Sequence, residues 1–235
     1  MTARVLREYS LASLIRVSSK WAEQSPISAG VAEAKIHVFS QQLDLSRYCP
    51  DGSLRDTQGP LRLVFVGSVE LRKGFHVLLR AIRRVGPSHF SLRMVGATGN
   101  RQDSRLLRSE AQGLSVSIAP GDSLPAYHRA ELAILPSLED GFGFAAGEAM
   151  ACGLPVIVSD QCGAQEWVEP GSGWIVKAGD GEALATALED ALSKRPVRAA
   201  MGRISRSSAE RRGGAGPAHA LREWVWSRAR PGRKH

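Results

Sequence analysis

Short apolar runs recur from residue 61 onward, at Leu63–Val66, Leu92–Val95, Val116–Ile118, Leu132–Leu135, Pro155–Val158 and Trp174–Val176. Between them lie segments of helical character, roughly 75–86, 103–112, 123–130, 144–152, 164–168 and 181–193. Brief runs that stay apolar on both sides read as strands buried on both faces. Their alternation with helices predicts an α/β fold, a Rossmann-like parallel sheet with helices on both faces. In the segment 181–193, Leu184, Leu188 and Leu192 share one face, and Asp180 stands where an N-cap is needed. Before residue 61 the pattern is weaker. Leu11–Ser18 leads into a Ser-Ser turn, a helix is expected near Lys20–Ala29 and a short strand over Lys35–Phe39, and a polar stretch follows over Ser46–Pro60.

Sheets of this kind bind ligands beyond the carboxyl ends of their strands. The stretch that follows Leu132–Leu135 therefore carries the most weight. It opens Pro136-Ser137-Leu138-Glu139-Asp140-Gly141-Phe142-Gly143-Phe144 and continues through Glu148 to Cys152-Gly153-Leu154-Pro155. A helix is expected from Phe144 to Cys152, stopped by Gly153. A strand, a glycine turn and a helix start leave free backbone N–H groups and the positive end of the helix dipole pointing at a ligand. Asp140 stands before the helix and Glu148 inside it. An anionic centre flanked by hydroxyl-accepting carboxylates suits a nucleotide sugar, with its diphosphate between a ribose and a hexose.

This stretch resembles the acidic signature of retaining GT-B glycosyltransferases of family 4, in which two glutamates are separated by seven residues. Gly141-Phe142-Gly143 follows the first acid here, and Glu148-Ala149-Met150-Ala151-Cys152-Gly153 with Pro155-Val156-Ile157 follows the pattern of the second. The chain departs from the pattern at Asp140, a shorter acid preceded by Glu139. Val66-Gly67-Ser68-Val69-Glu70-Leu71-Arg72-Lys73-Gly74 resembles the family's phosphate element. Lys73 matches its lysine, Ser68 stands at the usual arginine, and Arg72 is the candidate replacement. Gly163-Ala164-Gln165-Glu166 resembles the family's Gly-x-x-Glu turn.

The resemblance implies a hexosyl transfer with retention that needs no metal and no cofactor. Lys73 and Asp140 are the catalytic candidates. Ser68, Arg72, Lys73, Gly141, Phe142, Gly143, Phe144 and Glu148 are the substrate-binding candidates. Asp140 and the Gly141-Phe142-Gly143 backbone would orient the sugar, and Glu148 would hold the ribose hydroxyls. The resemblance also implies a domain plan. Residues 1–50 read as the last elements of an acceptor domain, 51–60 as a linker, 61–210 as the nucleotide-sugar domain and 211–235 as a basic tail. Three readings stay open: an enzyme acting with a separate acceptor-domain subunit, a binding module for nucleotide sugars, or an inactive remnant.

Composition changes this picture little. The chain has 235 residues, 43% hydrophobic and 23% charged, ordinary values for a globular protein. Its formal charge of +8 is concentrated from Arg195 to Lys234. An anionic ligand, then a peripheral contact with anionic lipid, account for that excess better than nucleic acid, because no basic-aromatic stripe accompanies it. Cys49, Cys152 and Cys162 have neither paired nor metal-ligand spacing, Met1–Tyr9 does not read as a signal peptide, and a cytoplasmic location is expected. His128 has no evident partner in the sequence and reads as a surface residue of its helix. A short helix is expected at Leu221–Trp226, with Trp224 or Trp226 exposed.

Overall fold

The structure is a computed structural model that describes residues 3–52, 58–214, 216 and 222–226. The expectations for 53–57, Leu221 and the terminal residues 227–235 lie outside the described residues. In chain order, α1 (Ala3–Leu11), β1 (Ile15–Val17), α2 (Lys20–Ser28) and β2 (Ile36–Val38) form an N-terminal segment. The main sheet and its helices follow: β3 (Leu61–Val66), α3 (Phe75–Val85), β4 (Phe90–Val95), α4 (Arg101–Glu110), β5 (Val116–Ala119) and α5 (Leu124–Arg129). Then come β6 (Leu132–Leu135), α6 (Phe144–Ala151), β7 (Val156–Ser159), β8 (Gly173–Val176), α7 (Gly181–Ser193) and α8 (Arg198–Gly213).

All pairings are parallel, and the six-stranded sheet runs β5-β4-β3-β6-β7-β8. This is the strand order of a Rossmann fold, with its topological switch point between β3 and β6. Each crossing helix buries the side that its sequence makes apolar. On one face, Leu61, Leu63 and Phe65 of β3 pack with Leu78, Leu79 and Ile82 of α3 and with Leu184 and Leu188 of α7. On the other, Val64, Ala133, Leu135 and Val158 meet Tyr127 of α5 and Ala146, Ala149 and Met150 of α6. Because α5 has only six residues, it leaves part of that face open at β4 and β5. Ser91, Arg93 and Ser117 line a cavity of about 570 Å³ there.

The helix α8 has no apolar stripe in its sequence and is not predicted by it. It buries Gly202, Ser205, Ser208 and Ala209 instead, a face of small residues that lets it cross α6 closely. A Cβ on Gly202 would stand 2.2 Å from the Gly153 carbonyl oxygen. It also runs to Gly213, into the stretch expected to be tail.

Several charges of this C-terminal region are engaged in the fold. Glu131, only 4% exposed, is faced by Arg62, Arg195 and Arg198. Arg206 donates to the carbonyls of Tyr48 and Ala151, both at 2.7 Å, and Arg211 donates to Glu169. Trp224 lies against His37 and Phe39 of the N-terminal segment, whereas Trp226 is 53% exposed. His128 is not a free surface residue: Nε2 is 2.9 Å from the Cys49 carbonyl and Nδ1 is 3.7 Å from Asp51.

Candidate functional site

The loops after β3 and β6 meet at the switch point. After β3, a 3-10 turn (Leu71–Lys73) runs into Gly74, which starts α3. Gly74 has a φ of +71°, and a Cβ there would lie 1.9 Å from the Pro136 carbonyl oxygen at the end of β6. Only glycine permits both the left-handed backbone and that approach. The contact brings Lys73 within 2.5 Å of Asp140, Nζ to Oδ2. Their side chains are 18% and 14% exposed, so the pair is largely removed from water. Arg72, on the outer side, donates to the Glu139 carbonyl and lies 3.7 Å from Glu70. Its own carbonyl accepts the Leu138 N–H. Ser68 stands at the head of the same loop, just past β3 and half-buried.

Three segments hold the acidic loop in place. Besides the Arg72 contacts, Asp140 N–H donates to Gln161 and Gly163 N–H donates to Asp140, fixing the loop to the turn after β7. From the N-terminal segment, the Ser18 and Ser19 hydroxyls donate to the Gly141 carbonyl at 3.1 and 2.7 Å. Glu166, in the 3-10 turn that resembles Gly-x-x-Glu, accepts the Trp21 N–H at the start of α2. Ser19 accepts from Ala22 at the same helix end. An acidic side chain there complements the helix dipole as well as an orphan donor.

The loop then opens α6. Gly143 precedes the helix with a φ of +84°, and a Cβ there would lie 2.4 Å from Cys162 Sγ. The N-cap residue is Gly143, which has no side chain to cap this helix start. Phe142 is buried edge-on against Trp167, whereas Phe144 is 47% exposed beside it. Cys162 is buried, and burial pushes its thiol up to about 12, which leaves it an inert packing residue.

Glu148, the fifth residue of α6, lies just over one turn into it and looks toward α5. Tyr127, fully buried, has its hydroxyl 2.9 Å from Glu148 Oε2 and 3.0 Å from the Ala145 carbonyl. Burial raises the Glu148 carboxyl above its usual value, while hydrogen bonds from Tyr127 and Tyr48 and the charge of Arg47 pull it back. The Tyr127 phenol is driven well above its ordinary range, mainly by burial and then by the Glu148 charge. Sequence reasoning does not find Tyr127 or Tyr48. Tyr127 lies in an expected helix and Tyr48 in a polar stretch, and nothing local ties either to a carboxylate 21 residues from the first.

The site residues thus form two groups. Lys73, Arg72, Asp140, Gly141 and the α6 start gather at the switch point, and Glu148 lies further along α6 with the two tyrosines. A cavity of about 700 Å³ adjoins the first group, between the acidic loop and the N-terminal segment, with Arg16, Ser18, Trp21, Glu139, Gly141 and Gln161 on its walls.

Residues 53–208 match the family described as glycosyl transferases group 1. Glycogen synthase of Mycobacterium tuberculosis is 30% identical over 208 residues, which cover 82% of this chain and 50% of that protein. D-inositol 3-phosphate glycosyltransferase of Corynebacterium jeikeium is 30% identical over 210 residues, covering 79% and 50%. The chain spans about half the length of these curated relatives. Among solved structures, Anabaena Alr3699/HepE in complex with UDP-glucose superposes with a TM-score of 0.84 at 22% identity, covering 97% of this chain and 68% of that one, a likeness of fold. With two-thirds of its length inside the family's pattern, the chain belongs to the glycosyl transferases group 1.

Proposed function

We propose that this chain carries the donor-binding half of a retaining glycosyltransferase, which moves a hexose from a nucleoside-diphosphate sugar to an acceptor hydroxyl without a metal ion. The observation that supports this most is the Lys73–Asp140 pair at the switch point, beside an uncapped helix start. One cation, one carboxylate and the start of a helix converge where a diphosphate and its sugar would meet.

In this reading the diphosphate draws Lys73 toward its oxygens, with Arg72 as a second cation and Ser68 and the α6 N–H groups as neutral donors. Asp140, relieved of part of its hold on Lys73, accepts hydroxyls of the hexose, with the Gly141-Phe142-Gly143 backbone lying along the ring. Phe144 covers the mouth. Glu148 accepts the ribose hydroxyls. The anomeric C–O bond breaks with its electron pair going to the diphosphate. The acceptor oxygen bonds to the anomeric carbon on the same face, and its proton passes to the departing phosphate. Lys73 stabilises the charge that develops there.

The acceptor would enter through the cavity beside Ser18 and Trp21, completed by further acceptor-domain structure that a separate subunit could supply. No described helix is long and apolar enough to cross a membrane. A cytoplasmic location, with peripheral contact at the inner membrane face, belongs to the same reading. The reading is tested by following an α-linked nucleoside-diphosphate hexose by proton NMR with candidate acceptors. An α-linked product formed in the presence of a chelator supports it. A β-linked product would contradict retention, and loss of turnover with chelator would contradict metal independence.

A further inference from the structure

Glu148 is held by more than its own helix. Tyr127 reaches its Oε2 from α5 at 2.9 Å. The other acceptor near that hydroxyl, the Ala145 carbonyl, belongs to the α6 ladder, so the single phenolic hydrogen is best used on the carboxylate. The second phenol, Tyr48, comes from residues 44–48, which join the N-terminal segment to the main sheet. Its hydroxyl interacts with Glu148 and with Ser123, and its ring lies edge-on to Tyr127 at 6.2 Å.

The joining segment is itself pinned. Asp44 accepts from the backbone N–H groups of Ser46 and Arg47 and from the Ser46 hydroxyl. Arg47 donates to Asp122 at 2.8 Å, in the loop before α5. Arg206 of α8 donates to both the Tyr48 carbonyl and the Ala151 carbonyl, tying the segment to the end of the helix that carries Glu148. The groups facing Glu148 are thus Tyr127 from α5, Tyr48 and Arg47 from the joining segment, and Asp122 from the loop before α5.

We propose that Tyr48 and Tyr127 are positioning residues that clamp Glu148 as an acceptor for the vicinal hydroxyls of the donor's ribose, so that residues 44–48 form part of the donor site. Without the clamp, the Glu148 side chain gains rotamer freedom and its carboxylate loses two donors. Two donors on one oxygen pair also leave the remaining lone pairs aimed outward, where a diol can donate to both. The inference rests on the donor-site reading above.

The test uses the full chain and its Tyr48→Phe and Tyr127→Phe variants, with whichever of UDP, GDP and ADP the wild type binds best, and with the 2′,3′-dideoxy form of that nucleotide. Each variant is expected to weaken binding of the ribonucleotide by about tenfold, the loss of one charge-assisted hydrogen bond. Binding of the dideoxy form should stay within about twofold of wild type, since it offers no diol to Glu148. Weakening of the ribonucleotide should also grow as pH falls, because each lost donor raises the Glu148 carboxyl further. Equal loss for both nucleotides, or no loss for either, would overturn the clamp. A wild type that binds no nucleotide, or whose binding survives Glu148→Ala, would remove the donor-site reading itself. Tyr48, half-buried, keeps the test valid if the buried Tyr127 variant folds poorly.

Discussion

Lys73 and Asp140 meet across the switch point of the sheet, Nζ to Oδ2 at 2.5 Å, with each side chain less than one-fifth exposed. Surface pairs elsewhere in the chain, such as Arg84–Glu182 with 62% and 73% exposed side chains, contribute little in water. The switch-point pair is different, since removing one partner leaves the other charge poorly solvated. Lys73→Ala is expected to weaken nucleoside-diphosphate binding by roughly tenfold to a hundredfold, through loss of a charge-assisted contact to phosphate. Lys73→Arg should recover part of it. Calorimetry on both variants, with circular dichroism to confirm folding, checks this.

Glu148 makes a pH prediction with a definite sign. Its carboxyl is raised by burial, so a ligand that needs the carboxylate should bind more weakly as pH falls, beginning above the usual glutamate range. Glu148→Gln should remove that acid limb. The same shift has a stability consequence. An acid whose folded value is raised contributes stability below its unfolded value and loses it as pH rises through the folded value. Glu148→Gln should therefore raise the melting temperature at pH 7, and the gain should vanish toward pH 4. A melting curve at each pH decides it.

Two glycines of the acidic loop should behave differently. Gly143→Ala meets Cys162 Sγ and forces a left-handed φ of +84°, so a loss of about 1–3 kcal/mol is expected. At Gly141 the nearest atom to an added Cβ is Ser18 Oγ at 3.6 Å, and the backbone is not left-handed. Gly141→Ala should change stability by less than about 0.5 kcal/mol. Urea unfolding of the two variants makes the comparison.

Glu131 and Arg198 should also part company. Glu131 is the carboxylate among three arginines, and Glu131→Ala is expected to cost about 3–5 kcal/mol by leaving them unbalanced. Arg198 is 6% exposed, its two terminal nitrogens have no hydrogen-bond partner, and burial lowers it to about 10. Arg198→Met should be neutral or stabilising, since it removes a buried cation that makes no hydrogen bond, while Arg62 and Arg195 still face Glu131. Thermal melts of both variants, with nucleotide binding unchanged in each that folds, are the measurement.

The six strands and most helices of the main sheet are legible because each carries a locally apolar run, although the edge strand β5 leaves its run only partly covered, and helix 181–193 begins at Asp180 as its capping residue requires. The acidic loop is legible because glycines and acids at fixed spacing survive as a pattern. What the sequence hides depends on distant contacts. The helix α8 packs through Gly202, Ser205 and Ser208, which carry no hydrophobic signal. His128 reads as unpartnered because Asp51 and Cys49 reach it from across the chain. Tyr127 and Tyr48 carry no signal of their own until the fold brings both to Glu148. Much of the charge from Arg195 onward looks like a basic tail, yet Arg195, Arg198, Arg206 and Arg211 bind internal partners.

The measurement that bears most directly on the donor site is a calorimetric titration of the folded chain with UDP, GDP and ADP and their glucose and mannose conjugates. Saturable binding of one base is expected, lost in Glu148→Ala and strongly weakened in Lys73→Ala. Absence of binding by every nucleotide, from protein shown to be folded, would contradict the assignment of the switch point as a donor site.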